Sequence, residues 1–554
     1  MNAQLRTIVL AGVAGLAGLL AGHPPTGQPA ARYALIVQGP GAADAVRAAG
    51  GRVTHDLGLI DAAGAELTAT ELERLRGRHP RLRLYPDRRL AVAGEDDNQG
   101  KDKDKDKDED DDPVVAAAGE VYTVYPTLVG AAALHAAGID GYGVTVATVD
   151  TGVWKSFEGL EERAGGADRM LVEFDARKGK LGSANDKHGH GTHVASIIAD
   201  STIPDGGGAR YNGIAPGVDL VAVKAFDDDG LGSYADVIQG LTWVVANREA
   251  YGIRVLNLSF SAPVRSPYWD DPLNQAVMAA WQAGIVVVVS AGNGGPAPMT
   301  LGVPANLPYA ITVGAMTDHG TPEDWTDDCL ASFSAAGPTF EAFVKPEVVA
   351  PGGHMIAAMS KKQKLSGLHP RYRVGDDYFT MSGTSQAAAV VSGVAALMLQ
   401  ADPGLSPDDV KCRLIATARP AVDDAGGLAF SVFQQGAGLI DAWAAVHAQA
   451  SGCANRGLDV GRDLAGVEHY RGPARLDAGG AFVAAGTPAW DGTFRAGEYA
   501  WFDGVPWLDG VPWLDGVPWL DGVPWLDGVP WLDGVPWSPQ LSETASINLW
   551  VEPE

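Results

Sequence analysis

The chain of 554 residues is long enough for more than one domain, at roughly 150 residues per domain. Hydrophobic residues make up 46% of it, so it can bury a large core, and the net charge of −27 argues against nucleic acid as a partner. A phosphate-binding surface needs clustered Lys and Arg, and the sequence has no basic stripe.

The first 22 residues have the form of a secretory signal peptide. One Arg near the start precedes an apolar run at 7–21, which is too short to span a bilayer comfortably. Leu19 and Leu20 are bulky where a cleavage site prefers small residues, and His23 stands where a lipoprotein signal would have Cys. Since no second stretch is long enough for a transmembrane helix, we expect a secreted protein, extracellular or periplasmic.

Residues 32–92 alternate between strand and helix patterns. Extended segments are predicted at 33–38, 53–60 and 81–85, and helices at 42–49 and 71–78, the second with a capping box from Thr70 to Glu73. Two helices among short strands predict a small α+β sandwich. Between Arg32 and Leu90 there are 10 Arg and 7 acidic residues, a net charge of +3, although the whole chain is strongly acidic.

Residues 94–118 form an acidic low-complexity segment. From Glu95 to Asp112 it has no apolar side chain and cannot pack, so we interpret it as a solvated linker and a domain boundary. A calcium site built from this carboxylate run is the less favoured alternative. The alternating Lys residues neutralise the run, and the glycine-centred spacing of a calcium loop is missing.

Beyond Tyr122 short runs rich in Val and Ile alternate with helical stretches. This pattern predicts a parallel sheet covered on both faces, with the functional site at the carboxyl ends of its strands. The predicted strands are 144–149, 220–225, 255–258, 285–290 and 310–313, and the predicted helices are 191–200, 233–251 and 272–283.

The segment from Thr380 to Gln400 predicts a buried central helix, because it is apolar on every face behind a polar turn. If the helix begins at this turn, Ser385 lies at its N-terminal end, where unpaired N–H groups and the helix dipole stabilise negative charge. A core helix capped by a serine is the simpler alternative, and two upstream motifs argue against it.

Asp150 ends the first strong strand, and His190 lies where a helix begins, in H-G-H-G-T-H. A serine hydroxyl becomes a nucleophile when a base takes its proton and a third group orients the base. Asp150, His190 and Ser385 supply these roles in the chain order Asp, His, Ser. His188, His190 and His193 could instead bind a metal, but the Glu of the usual zinc-hydrolase helix is absent.

Asn293 follows a buried strand on a glycine turn, in V-V-V-V-S-A-G-N-G-G. Its side-chain amide is a candidate donor to an oxyanion. This motif accompanies three others: D-T-G-V around Asp150, H-G-T-H-V-A-S from His190 and G-T-S-Q-A-A from Gly383. With these four motifs in order, the chain resembles the subtilisin-type serine proteases, the subtilases, over residues 122–449.

This resemblance implies a seven-stranded parallel sheet with helices on both faces. It also implies two strands that bind an extended substrate by main-chain pairing, and pocket walls after the strand that leads to Asn293. The implied substrate-binding residues are Gly230, Leu231, Gly232, Ser259, Phe260, Ser261, Ser290, Ala291 and Gly292.

Residues 32–92 resemble the subtilase propeptide in size and pattern, which implies a folding template and an intramolecular inhibitor.

The chain departs from the family at four positions, which puts the pocket shape in doubt and leaves the triad intact. Gln386 replaces a usual Met, Ala389 a usual Pro, Val390 a usual His and Ser261 a frequent Gly.

Residues 450–500 form a weakly patterned extension, and 501–537 a hexapeptide repeat with Asp-Gly-Val-Pro-Trp six times, followed by a tail at 538–554. We favour a stalk or a neutral expansion for the repeat over a binding array, since no ligand chemistry is specified. Of the three cysteines, we predict that Cys412 pairs with Cys453 and that Cys329 is left out.

The sequence therefore predicts a secreted, propeptide-bearing serine endopeptidase that forms an acyl-enzyme and cleaves after uncharged, mainly hydrophobic residues. A narrow processing protease and a non-catalytic binding protein that uses its Trp repeat are the alternatives. We expect protein or peptide substrates, a monomer, and no cofactor for the chemistry. Structural calcium, common in the family, stays open, with no ligands or metal-binding residues assigned.

Overall fold

A computed structural model describes residues 31–92, 121–182, 184–204, 210–318, 328–423, 426–484, 486–495, 497 and 517–519. The predicted signal peptide, the acidic linker, most of the repeat and the tail lie outside the described residues. The chain divides into two compact units. The smaller comprises 31–54 and Asp61–Pro86, and the larger comprises His55–Ile60 and the chain from Asp87 onward.

The smaller unit is built on a sheet with the strand order β2-β3-β1-β4 and two helices, in which β1 runs antiparallel to β3 and β4 and the last three residues of β2 fall in the larger unit. In helix α1 the residues Ala42, Ala45, Val46 and Ala49 are buried, a spacing that places them on one face against the sheet. Its elements are β1 (Arg32–Gln38), α1 (Ala42–Ala49), β2 (Arg52–Leu57), β3 (Ala62–Thr68), α2 (Ala69–Arg78) and β4 (Arg83–Pro86).

The predicted capping box from Thr70 to Glu73 is wrong by two residues. Strand β3, which the sequence did not predict, continues to Thr68, so helix α2 begins directly after it. Thr68 Oγ1 accepts a hydrogen bond from Glu71 N at 3.3 Å, and Glu71 Oε2 accepts one from Thr68 N at 2.8 Å. The motif is present, but its register is set by the end of the strand.

The larger unit alternates strands and helices along the chain. Its first half contains β5 (Arg89–Ala91), α3 (Tyr125–Leu128), α4 (Ala131–Ala136), β6 (Thr145–Asp150), α5 (Glu158–Glu161), β7 (Glu162–Arg163), β8 (Ala167–Asp168), β9 (Met170–Asp175), β10 (Lys180–Leu181), α6 (His190–Ala199), β11 (Asp219–Lys224), β12 (Leu231–Ser233), α7 (Tyr234–Asn247), β13 (Ile253–Leu258), α8 (Pro272–Gln282) and β14 (Val286–Ser290).

The second half contains β15 (Ile311–Thr317), β16 (Cys329–Leu330), β17 (Val348–Pro351), β18 (Met355–Ala358), α9 (Lys364–Leu368), β19 (Arg373–Val374), β20 (Tyr378–Met381), α10 (Thr384–Ala401), α11 (Pro407–Thr417), α12 (Val432–Gln435), α13 (Ala442–His447), α14 (Val460–Leu464), β21 (His469–Arg471), β22 (Arg475–Leu476), β23 (Phe482–Val483) and β24 (Val517–Trp519). Short 3₁₀ helices lie at Gly58–Ile60, Tyr268–Asp270 and Pro370–Tyr372.

The central sheet has the order β10-β9-β11-β6-β13-β14-β15-β16, with β17 also paired to β15. The family resemblance implied seven strands, whereas the described sheet has nine. Seven of them run parallel, and the two-residue strands β10 and β16 pair antiparallel to their neighbours. Every residue of β6, β14 and β15 is buried, as expected for strands covered on both faces.

Helix α10 packs against β13, β14, β15 and β17 and against α6. Contrary to the expectation that no second stretch is long enough for a transmembrane helix, α10 has the length and composition to cross a membrane, but 89% of its 18 residues are buried inside the protein. It is therefore the core helix that the sequence predicted. Because it begins at Thr384, the second residue of the helix is Ser385.

The extension after the predicted catalytic domain is part of the larger unit. Cys412 and Cys453 form the predicted disulfide, and Cys329 is not part of it. The buried carboxylate of Asp463 accepts hydrogen bonds from the hydroxyls of Tyr268 at 2.6 Å and Tyr309 at 2.9 Å. The covalent bond and these hydrogen bonds join 453–463 to the sheet domain.

Candidate active site

The parallel sheet brings Asp150 and His190 together. Strand β6 ends at Asp150, and α6 begins at His190, so both side chains lie at the carboxyl edge of the sheet. His190 Nδ1 is 2.7 Å from Asp150 Oδ1 and 2.9 Å from Oδ2, and both side chains are buried. A Cβ at Gly191 would collide with the Gly152 carbonyl, which explains the glycine after His190.

The other imidazole nitrogen, His190 Nε2, is buried without a hydrogen-bond partner among the described residues. Ser385 is fully buried at the start of α10, and its Oγ donates to the Ser259 carbonyl at 3.3 Å. The hydrogen bonds of a catalytic serine and its base often form only when substrate is bound. The arrangement leaves Nε2 able to accept a proton.

Asn293 is oriented by Thr384. Asn293 Oδ1 accepts hydrogen bonds from Thr384 N at 3.0 Å and from Thr384 Oγ1 at 2.9 Å. Thr384 Oγ1 in turn accepts from Gly292 N at 3.1 Å. Because a backbone N–H can only donate, the oxygen of the Asn293 amide must face it, and Nδ2 is left without a partner among the described residues. Asn293 therefore presents a donor next to the N-terminus of α10.

Gly230, Leu231 and Gly232, the predicted edge strand, pair with an extended segment of the chain itself. Strand β5 lies antiparallel to β12, with Leu90 opposite Gly232 and Ala91 opposite Leu231. Val92 N donates to the Gly230 carbonyl at 2.9 Å, and Tyr234 N donates to the Arg88 carbonyl at 2.9 Å. Both strands belong to the larger unit.

The remaining predicted substrate-binding residues lie at the ends of β13 and β14. Ser259 Oγ donates to the Ser385 carbonyl at 3.0 Å, and Ser290 Oγ donates to the Phe260 carbonyl at 3.2 Å. Ser261 is buried, and its Oγ lies where a Cβ on Gly302 would collide with it. The structure therefore places Ser259, Phe260, Ser261, Ser290, Ala291 and Gly292 at two neighbouring strand ends.

The histidines on either side of His190 have different surroundings. Burial lowers the pKa of His193 to about 3, and its Nε2 lies 3.0 Å from the Phe379 carbonyl. Burial also lowers the pKa of His188 to about 4. Both are therefore neutral at pH 7. The alternative of a metal site gains no support, because the described ranges contain no group of three or more His, Cys, Asp or Glu side chains that could hold a metal ion.

Sequence reasoning missed two residues that hold this site together, Thr384 and Asp186. Thr384 orients Asn293. Asp186, which lies in the loop before His190, accepts five hydrogen bonds. A Thr at a helix start and an Asp in a loop carry no signal of their own in a single sequence, because the same residue types are common in turns and caps.

A sequence model of the subtilase family matches residues 141–438, more than half of the chain. This chain belongs to the subtilase family. Subtilases are serine endopeptidases that need no cofactor for catalysis, and calcium binding is common among them. The family model covers Asp150, His190, Asn293 and Ser385.

Serine protease AprX of Bacillus subtilis (strain 168) is 40% identical to this subtilase over 278 residues, 49% of this chain and 60% of AprX. Subtilisin DY of Bacillus licheniformis is 33% identical over 325 residues, 58% of this chain and 97% of subtilisin DY. The chain thus covers less than two thirds of AprX and nearly all of subtilisin DY.

Among solved structures, fervidolysin from Fervidobacterium pennivorans, described as a keratinolytic enzyme related to subtilisin, has a similar fold. Its TM-score is 0.57 with 23% sequence identity, over 77% of this chain and 63% of fervidolysin. At this identity the similarity shows the α/β subtilase fold alone.

Proposed function

We propose that this subtilase is a secreted serine endopeptidase that cleaves peptide bonds through an acyl-enzyme. The observation that carries the proposal is the buried Asp150–His190 pair, in which Nδ1 is held by the carboxylate and Nε2 has no partner among the described residues. An imidazole held in this way is a general base oriented by a third group.

In the proposed reaction, Ser385 Oγ attacks the scissile carbonyl and its proton moves to His190 Nε2. Asp150 stabilises the resulting imidazolium. The oxyanion accepts hydrogen bonds from Asn293 Nδ2 and from the Ser385 N–H at the positive end of α10. His190 then gives the proton to the leaving amine, and water hydrolyses the acyl-enzyme by the same acid–base steps in reverse.

Residues 32–92 are the proposed propeptide. Support comes from β5, because Arg89–Ala91 pairs with β12, the strand proposed to receive an extended substrate. Main-chain pairing of this kind gives affinity that does not depend on sequence. The proposed inhibitor is thus a substrate-like strand, and self-cleavage is expected between Ala91 and Glu120.

The proposed specificity is for uncharged, mainly hydrophobic residues before the scissile bond. Neither Ser259–Ser261 nor Ser290–Gly292 contains an acidic residue that could pair with Lys or Arg. The buried Ser261 is expected to disfavour the largest rings. Secretion is supported by the signal-like residues 1–22 and by the Cys412–Cys453 disulfide, which suits an oxidising compartment.

The test is covalent labelling with a serine-directed phosphonate, followed by peptide mapping. We expect one adduct per mature molecule, on Ser385, and loss of labelling in His190→Ala, which keeps the serine but lacks the base. Labelling on another serine, or labelling that His190→Ala leaves unchanged, would overturn the proposed function.

A further inference from the structure

Asp186 carries a buried carboxylate in the loop before His190. All five hydrogen bonds that this carboxylate accepts come from residues within two positions of Asp150 or His190. The residue is 3% exposed. Its Oδ1 accepts from Thr151 Oγ1 at 3.0 Å and from the backbone N–H groups of His188 and Gly189, both at 2.9 Å. Its Oδ2 accepts from Thr192 N at 2.9 Å and Thr192 Oγ1 at 2.6 Å.

These bonds link the two loops that carry Asp150 and His190. Thr151 directly follows Asp150, and its Oγ1, besides donating to Asp186, accepts from Gly191 N at 2.9 Å. Gly189 and Gly191 are the two neighbours of His190 in the chain. One carboxylate and one hydroxyl therefore bind the backbone on both sides of the histidine and the residue next to the aspartate.

Lys224, on the neighbouring strand β11, donates hydrogen bonds to the same two stretches of backbone. It lies opposite Asp150 in the β11–β6 register and is 3% exposed. Its Nζ donates to the Thr151 carbonyl at 2.7 Å and to the Asn185 carbonyl at 3.2 Å. A buried ammonium thus holds the backbone next to Asp150 and the backbone next to Asp186.

We propose that Asp186, acting through Thr151, is a positioning residue that sets the geometry of the His190–Asp150 pair. This inference rests on the proposed function of that pair as base and orienter. Asp186 itself makes no hydrogen bond to either side chain, so its effect passes through the backbone around them. A catalytic group that is misplaced by about 1 Å can lose about 10²-fold in rate.

Replacement by Asn keeps the shape of the side chain but turns one oxygen into a donor. Whichever way the amide points, it faces at least one backbone N–H that can then find no acceptor there. The loop must shift to relieve this contact. Thr151→Val removes the hydroxyl that joins Asp186 to Gly191, whereas Thr151→Ser keeps it.

The experiment measures kcat per active site, titrated with the phosphonate, in the mature enzyme. We expect Asp186→Asn and Thr151→Val to lower kcat per titrated site by about 10- to 100-fold with KM within about threefold. Thr151→Ser should retain kcat to within about threefold, because its hydroxyl can make the same two bonds. A residue needed only for folding would lower the number of titrated sites and leave kcat per site unchanged.

Asp200→Asn is the matched control. Asp200 is a buried aspartate that ends the same helix α6, about 15 Å from its start, and accepts from Tyr378 Oη and Thr202 N. We expect this variant to lose thermal stability and to keep its kcat per titrated site. Equal loss of kcat per site in Asp200→Asn would assign the effect to the helix as a whole and overturn the proposal.

Wild-type kcat per site in Asp186→Asn or in Thr151→Val, or an equal loss in Thr151→Ser and Thr151→Val, would also overturn it. If Asp186→Asn does not accumulate as folded protein, the two Thr151 variants decide the question. Ser385→Ala is measured in parallel. If Ser385→Ala stays active, the proposed function fails. If Ser385→Ala is inactive and Asp186→Asn has the wild-type kcat per site, only the role proposed for Asp186 is overturned.

Discussion

At the scale of single residues, the site depends on which atom of each side chain is already engaged. The oxygen of the Asn293 amide is bound by Thr384, so only its nitrogen is available to an oxyanion. Nδ1 of His190 is bound by Asp150, so only Nε2 is available to a proton. In both residues the hydrogen bonding of one atom fixes the chemistry of the other end of the group.

The Asn293→Ala variant should therefore lose an oxyanion donor and keep the nucleophile and the base. Removing one such donor in an enzyme of this class costs about 10²–10³-fold in kcat, so we expect a loss of this size with little change in KM. Steady-state kinetics on a peptide substrate measure both. Asn212→Ala removes a different buried asparagine and should affect stability only; equal kinetic losses in the two variants would contradict the assignment.

Glu341 should make stability depend on pH. It is buried, its Oε1 accepts from Tyr268 N at 3.0 Å, and burial raises its pKa to about 7. A raised pKa means that the folded state holds the proton more tightly than the unfolded state. The stability that this proton gives to the folded state is therefore fully present below pH 4.5 and is lost as the pH rises through about 7.

Glu341→Gln, which carries no charge at any pH, should raise Tm at pH 8, by the equivalent of about 3 kcal/mol, and change it little at pH 4.5. Calorimetry in the Ser385→Ala background avoids self-digestion. Glu249→Gln, at a glutamate whose side chain is 84% exposed, is the control and should have no such pH dependence. A Tm difference for Glu341→Gln that is the same at both pH values would refute the prediction.

At the scale of elements, the sequence predicted the centre of the sheet better than its edges. The five predicted strands correspond to β6, β11, β13, β14 and β15, because runs of Val and Ile identify strands buried on both faces. Strand β9 was missed because its half-exposed residues interrupt the apolar run, and β17 because it is only four residues long. The four motif residues could be proposed from the sequence because each lies at the end or the start of a strongly patterned element.

Strand β5 gives a prediction about inhibition by peptides of the propeptide sequence. In an antiparallel pair, every second residue turns its backbone N–H and C=O towards the partner strand. The hydrogen bonds of Arg88 O and Val92 N to β12 show that this set contains Arg88, Leu90 and Val92, whereas the N–H and C=O of Ala91 point away from β12. A peptide of residues 87–92 should inhibit the mature enzyme competitively. N-methylation at Leu90 should weaken it by at least about tenfold, since a ladder bond is lost, and N-methylation at Ala91 should have little effect.

Inhibition constants of the two methylated peptides provide the measurement. They differ in the position of one methyl group only, so lipophilicity and length are matched. Equal inhibition by both peptides would show that the propeptide segment does not bind through the β5–β12 register.

At the scale of the whole molecule, the extension belongs to the folded enzyme, and the described part of the repeat forms one short strand. The predicted Cys412–Cys453 disulfide and the buried Asp463 hold the extension. The sequence did not indicate the hydrogen bonds of Asp463, because they join residues far apart in the chain. Of the repeat, the structure describes Val517–Trp519, which pairs with β21. Neither contact involves the four motif residues.

Deletion of residues 501–537 should therefore leave peptide hydrolysis within about twofold of the full chain, because the repeat lies outside the four motifs and its described strand pairs with β21. Truncation after residue 449 is the contrasting variant. It removes the disulfide and leaves the hydroxyls of the buried Tyr268 and Tyr309 without their acceptor, so it should reduce the yield of folded protein. Loss of activity in a folded, processed 501–537 deletion would contradict this division of roles.

The measurement that tests the central claim most directly is the maturation of Ser385→Ala, purified without other proteases. Wild type is expected to lose residues 32–92 by self-cleavage between Ala91 and Glu120. Ser385→Ala is expected to accumulate as a folded chain with this segment attached, since loss of one hydroxyl at a helix start costs only about 1 kcal/mol. N-terminal sequencing against time distinguishes the two forms, and maturation of Ser385→Ala at the wild-type rate would show that Ser385 is not the nucleophile.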